Sequence, residues 1–175
     1  MKSFTSQETE AIQAAIEAKD LDDTHKQVLA GLIKKPDQNE DGATLYVDGA
    51  ADLHSKTAGI GGAIFMNGQE IYSFAEPLTE KTNNEAEYMA MIKGIQVSLE
   101  LNIKSLNIYS DSELVVKQVN GEYKIKNDRM KRLHTMVLSE LNRLENWSLI
   151  HVLRQKNKRA DALSKQGMQL ARNSQ

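Results

Sequence analysis

The sequence predicts an α/β domain with a five-stranded mixed sheet, an antiparallel meander joined to parallel strands and flanked by helices, behind a short helical appendage. Three observations carry this expectation. The hydrophobic period changes from helical to alternating near residue 43. Asn67-Gly68, the strongest short hairpin signal, separates two strand-like runs. From residue 83 onward, helical and strand patterns take turns.

Residues 5–18 read as a helix, opened by a Thr5-to-Glu8 capping box and carrying Ile12, Ala15 and Ile16 on one face. A second helix is expected over about 23–35, where Val28, Leu29, Leu32 and Ile33 form a stripe. KKPDQNEDG then breaks the pattern with proline, glycine and charge. A boundary near residue 42 follows, dividing the chain into a helical extension and linker (1–42) and a catalytic-sized domain (43–175). TLYVDG, GGAIFM and QEIYSFAE read as three meander strands, with Asp48 ending the first. A long helix over about 83–101, the strand SLNIYS and a short helix from 112 come next. A basic helix near 127–145, the strand WSLIHVL and a last helix from about 158 complete the chain. This alternation makes strands one, four and five parallel, with helices on both faces.

Composition narrows the function. Hydrophobic residues at 40% and charged residues at 26% fit a globular chain and exclude a disordered or collagen-like one. Cysteine is absent, so disulfides and thiolate metal sites are excluded and any metal must be held by oxygen or imidazole. The opening MKSFTSQETEAIQ turns polar at once and no run near eighteen apolar residues occurs, so a cytoplasmic location is expected. Charge is uneven: residues 1–116 carry 9 Lys/Arg against 19 Asp/Glu, whereas residues 117–159 carry 11 against 4. A basic stretch can be only a solvated helix face. Beside an acidic region, it also suits an enzyme that holds cations in one place and a polyanion next to it.

Asp48 and Asp111 each have an ordinary explanation, since Asp-Gly opens turns and Asp111-Ser112 can cap a helix. If their strands are parallel neighbours, however, the carboxyl ends lie at one edge with backbones about 4.8 Å apart. Ligands of open α/β sheets bind at that edge. In TNNEAEY, a wheel at about 100° per residue places Glu85 with Lys93, Gln96 and Glu100, on the solvent face. It places Glu87 opposite, among Ala90, Met91, Gly94 and Ser98. A carboxylate among small and apolar neighbours is costly unless a cation or donor awaits it, so Glu87 is the candidate. Asp161, just inside the last helix, is also explained as a first-turn acid favoured by the helix dipole. Four acids without histidine or cysteine company suggest hard oxygen ligation of Mg²⁺ or Mn²⁺.

YVDGA, TNNEAEYMAMIKGI, IYSDSELVVKQVNG and NKRADALS, in this order over residues 44–170, resemble the successive motifs of ribonuclease H type 1. That resemblance implies the ribonuclease H-like fold and a metal-dependent endonuclease that cuts the RNA strand of RNA–DNA hybrids, leaving 5′-phosphate and 3′-hydroxyl ends. It assigns catalysis and metal ligation to Asp48, Glu87, Asp111 and Asp161, with two Mg²⁺ ions, for which Mn²⁺ substitutes. It likens Asn83 and Asn84 to a pair that reaches into the minor groove, where 2′-hydroxyls are exposed. Thr82 and Asn127 resemble a pocket for a phosphate of the DNA strand, although both also suit helix N-caps. Gly49 and Ser112, the residues after Asp48 and Asp111, complete the expected substrate-contacting set with Arg154.

Departures from the family pattern carry their own expectations. The link LRQKNKRAD before Asp161 lacks the loop histidine of many relatives; Arg154 is the expected stand-in, and His151 reads as a structural side chain. GEYKIKND replaces an extended basic handle, so Lys124, Lys126, Arg129, Lys131 and Arg132 are expected to supply the electrostatic grip. Residues 1–42 hold five basic residues against nine acidic and only Phe4 as an aromatic, which fits a docking or self-associating element better than a hybrid-binding one. Two alternatives stay open: a nuclease that also accepts double-stranded RNA, and a non-catalytic nucleic-acid-binding module.

Overall fold

The computed structural model describes residues 6–18, 20–22, 25, 26, 29 and 42–174. The chain divides into two compact units, Met1–Asn39 and Glu40–Gln175. In the first, helix α1 (Ser6–Glu17) keeps Ile12, Ala15 and Ile16 half-buried and exposes Ala11, Ala14 and Glu17, as its stripe predicts. Thr5 and most of the helix expected over 23–35 lie outside the described residues.

In the second unit, alternation in TLYVDG sends fully buried Leu45 and Val47 to one face of strand β1 (Ala43–Asp52) and half-buried Tyr46 to the other. Strand β2 (Thr57–Met66) runs antiparallel to β1 and turns through Asn67 and Gly68 into β3 (Gln69–Thr79). Both turn residues are left-handed, φ 52° and 76°, as a type I′ hairpin requires. Pro77, which cannot donate to a ladder, is tolerated because β3 is an edge strand.

Helix α2 (Asn83–Glu100) lies against β1 and β2 and buries Tyr88, Met91 and Ile95 completely. Met91 and Ile95 each contribute about 1.5–3 kcal/mol on leaving water. Strand β4 (Ser105–Ser110), helices α3 (Glu113–Val119) and α4 (Asp128–Leu141), and strand β5 (Asn146–His151) follow. A 3₁₀ turn (Arg154–Lys156) leads into helix α5 (Lys158–Asn173). The sheet order is β3-β2-β1-β4-β5, with β1, β4 and β5 parallel, as the sequence predicts.

Three boundaries differ from the sequence reading. Helix α4 stops at Leu141, four residues short of the expected 145, and β5 stops at His151 because Val152 N–H makes a last bond to the Ser110 carbonyl before the 3₁₀ turn. Strand β1 continues past Asp48 to Asp52, since β2 pairs with it from Thr44 through Asp52. Its parallel pairing with β4 nevertheless ends at Val47–Ser110. Asp48 therefore stands at the end of the parallel ladder, though not of its strand. Among the described residues, no helix is long and apolar enough to cross a membrane.

Candidate active site

Where the β1–β4 ladder ends, Asp48 and Asp111 follow Val47 and Ser110 on adjacent strands. Glu87 joins them from the first turns of α2, so that one carboxylate oxygen from each of the three lies within 4.8 Å of the others. Asp48 and Glu87 are buried and Asp111 is half-buried. Gly49 brings α2 this near: a Cβ on it would sit 2.3 Å from the Ala86 carbonyl carbon and the Glu87 nitrogen. The Gly49 N–H also donates to Glu87 Oε2 at 3.2 Å.

Burial pushes the Glu87 carboxyl up to about 9, and the charges of Asp48 and Asp111 push the same way, against the Gly49 N–H and Arg154. Burial likewise raises Asp48 to about 7; a hydrogen bond from Ser164 opposes this, while Asp111 and Asp161 reinforce it. Carboxylates held together at this cost call for a cation. An all-oxygen donor set, with no cysteine in the chain, suits a hard divalent ion.

Asp161, the fourth expected acid, is not in this cluster. Arg154 donates to its Oδ1 through Nη2 at 2.6 Å and Nε at 3.1 Å, and Lys165 donates to Oδ2 at 2.6 Å. Burial works to raise the Asp161 carboxyl, but these cations outweigh it and hold the group below the ordinary carboxylate value.

Most of the expected substrate residues stand at helix starts. Thr82 caps α2: its hydroxyl accepts from Glu85 N–H and donates to Glu85 Oε2 at 2.9 Å. Asn83 and Asn84, the first two residues of α2, are exposed. Asn127 caps α4, its Oδ1 accepting from the backbone N–H of Arg129 and Met130. Thr82, Lys56, Lys81, Glu85 and Arg129 help to line a surface pocket of about 180 Å³. Ser112 is half-buried at the N-cap of α3, where its side chain makes no cap bond and its N–H donates to Ser110 Oγ.

One sequence expectation fails here. Glu85 is 6% exposed instead of solvent-facing, because its carboxylate turns back to the Thr82 N–H and hydroxyl and meets Arg129 at 3.8 Å. His151 is the last residue of β5, exposed and in register with Ser110.

Two buried polar residues at the ends of the NKRADALS motif were given no role by sequence reasoning. Asn157 donates through Nδ2 to Asp111 Oδ1 at 3.0 Å and to the Val47 carbonyl at 2.9 Å, and Ser164 donates to Asp48 Oδ2. The missed signal is their spacing. Asn157, Asp161 and Ser164 recur at i, i+4 and i+7, a single helical stripe.

Comparison with known proteins places this geometry. The family described as reverse transcriptase-like matches residues 46–167. Ribonuclease HI of Halobacterium salinarum is 28% identical over 124 residues, 70% of this chain and 62% of that protein, so the chain spans less than two thirds of its relative. The crystal structure of ribonuclease H1 from the same archaeon superposes with a TM-score of 0.71 at 28% identity, covering 74% of this chain and 98% of that one. The structure of LC11-RNase H1 in complex with RNA/DNA hybrid gives a TM-score of 0.68 at 30% identity, with 74% and 98% coverage. A reverse transcriptase-like match over most of the chain, together with 30% identity across nearly all of a ribonuclease H1, establishes that this chain belongs to the ribonuclease H type 1 family.

Proposed function

We propose that this chain is a divalent-metal-dependent endoribonuclease that hydrolyses the RNA strand of RNA–DNA hybrids, leaving 5′-phosphate and 3′-hydroxyl ends. The observation that carries the reading is the convergence of Asp48, Glu87 and Asp111 at the end of the parallel ladder. The related LC11-RNase H1, bound to an RNA/DNA hybrid, supports the substrate class. In this reading, Asp48, Glu87 and Asp111 would hold two divalent ions, Mg²⁺ or Mn²⁺, and Asp161 would complete their ligation. Bound there, the ions would supply acidification of an attacking water and neutralisation of charge on the leaving 3′ oxygen.

The remaining residues bind and orient. Exposed Asn83 and Asn84 offer amides that both donate and accept, which a 2′-hydroxyl in the minor groove needs and a DNA strand cannot satisfy. Thr82 and Asn127 are assigned to a phosphate of the DNA strand, with Arg129 as their nearby cation. Gly49 and Ser112 border the carboxylates and face the scissile region. Arg154 exchanges Asp161 for substrate phosphate, taking the part of the missing loop histidine.

Cleavage of matched RNA–DNA hybrid, duplex RNA and duplex DNA, with Mg²⁺ or Mn²⁺ and with EDTA, tests the proposal. Metal-dependent cutting of the hybrid RNA strand, abolished in Asp48→Asn, is expected. Equal cutting of duplex RNA would favour the broader nuclease, and binding without cutting would favour the non-catalytic module.

A further inference from the structure

Asn157 stands at the N-cap of α5, a position where asparagine ordinarily bonds the first turn of its own helix. Here its side chain makes no cap bond. Both Nδ2 protons go instead to the Val47 carbonyl and Asp111 Oδ1, and Oδ1 is left buried without a partner among the described residues, in a residue 1% exposed. A residue kept only to start a helix would neither give up its cap nor strand a buried acceptor. What Asn157 gains is a fixed link between the end of the β1–β4 ladder and the Asp111 carboxylate.

Ser164, two turns further along the same helical stripe, does the equivalent for Asp48. It is fully buried, and its single hydroxyl proton goes to Asp48 Oδ2, with the Asp161 carbonyl oxygen 3.0 Å from Oγ. Contact is possible because Gly61, the register partner of Asp48 on β2, has no side chain: a Cβ there would sit 2.2 Å from the Ser164 nitrogen.

Both donors are neutral, and this distinguishes them from Arg154 and Lys165, whose full charges hold Asp161. A neutral donor fixes the direction of a carboxylate while leaving its negative charge for a cation. We propose that Asn157 and Ser164 are positioning residues that hold Asp111 and Asp48 in the geometry that receives divalent cations. The proposal rests on the metal-dependent reading of the carboxylate cluster.

Calorimetric titration of the full chain with Mn²⁺, without nucleic acid, tests it. Ser164→Ala and Asn157→Ala are each expected to weaken Mn²⁺ binding about tenfold or more, the usual effect of losing a hydrogen bond to a metal ligand. Val137→Ala, a cavity at a buried position of α4, a helix that carries none of the carboxylates, provides a destabilised control that should bind Mn²⁺ as the wild type does. The Mg²⁺ concentration giving half-maximal hybrid cleavage should rise with the same factor in the two site variants, with KM for hybrid at saturating Mg²⁺ unchanged. Should Asn157→Ala fail to fold, Ser164→Ala decides, since it removes one oxygen. Affinity equal to that of the wild type in the folded site variants, or equal weakening in Val137→Ala, overturns the proposal. If Asp48→Asn also binds Mn²⁺ as wild type, or the wild type binds none, the metal-dependent reading falls together with it.

Discussion

The Gly49 N–H donates to Glu87 Oε2 at 3.2 Å, joining strand β1 to helix α2 beside the carboxylate that burial disfavours most. A side chain at position 49 would break this link, because its Cβ would lie 2.3 Å from backbone atoms of Ala86 and Glu87, which cannot swing aside. Gly49→Ala is predicted to destabilise the domain by about 1–3 kcal/mol through overpacking. It should also lower hybrid cleavage more than the stability loss accounts for. Denaturant unfolding and steady-state cleavage of the same variant check both expectations.

Glu87 and Asp48 make stability depend on pH in an unusual direction. Their folded pKa values, about 9 and about 7, lie above the ordinary 4.5 and 3.8, so between these limits the folded chain binds more protons than the unfolded one. Stability therefore falls as pH rises through that window. In EDTA, the midpoint of thermal unfolding is predicted to drop between about pH 5.5 and 8.5 more for wild type than for Glu87→Gln. Mg²⁺ should recover the wild-type loss most strongly at the alkaline end of that range. Identical slopes in the two proteins would contradict a proton-holding cluster.

Arg154 ties down Asp161 with two hydrogen bonds from an exposed 3₁₀ turn. If it also serves substrate phosphate, Arg154→Ala should reduce turnover about tenfold, with Arg154→Lys recovering only part because one ammonium cannot reproduce the guanidinium fork. Unchanged turnover in Arg154→Ala would remove the residue from the mechanism.

Lys124, Lys126, Arg129, Lys131 and Arg132 are predicted to grip the phosphates of the hybrid, so its affinity should fall steeply with salt. Replacing these cations by glutamine should take about 0.9 from the slope of log affinity against log salt for each phosphate they neutralise. A slope that stays the same after all five replacements would place the binding surface elsewhere.

How much of this was legible depended on whether the information was local. The Asn67-Gly68 hairpin, the stripe of α1 and the inward facing of Glu87 follow from spacing alone, and all appear in the structure. The meeting of Asp48 and Asp111 needed only the inference that their strands run parallel. Glu85 misled because a wheel gives the direction of Cβ, whereas a capping box bends the carboxylate back along the axis to Thr82. Asn157 and Ser164 were missed for a different reason. Their partners lie 46 and 116 residues away, and only the close packing of α5 over Gly61 brings Ser164 to Asp48. The pairing of Asp161 with Arg154 and Lys165 likewise depends on side-chain direction, which spacing leaves open.

A crystal structure grown with Mn²⁺, with the ion located by its anomalous scattering, decides whether the three converging carboxylates form a metal site. Density is predicted between Asp48, Glu87 and Asp111, at about 2.0–2.3 Å from one oxygen of each, typical of small divalent ions on carboxylates. Manganese bound elsewhere, with these three side chains still drawn together around none, would contradict the metal-dependent reading.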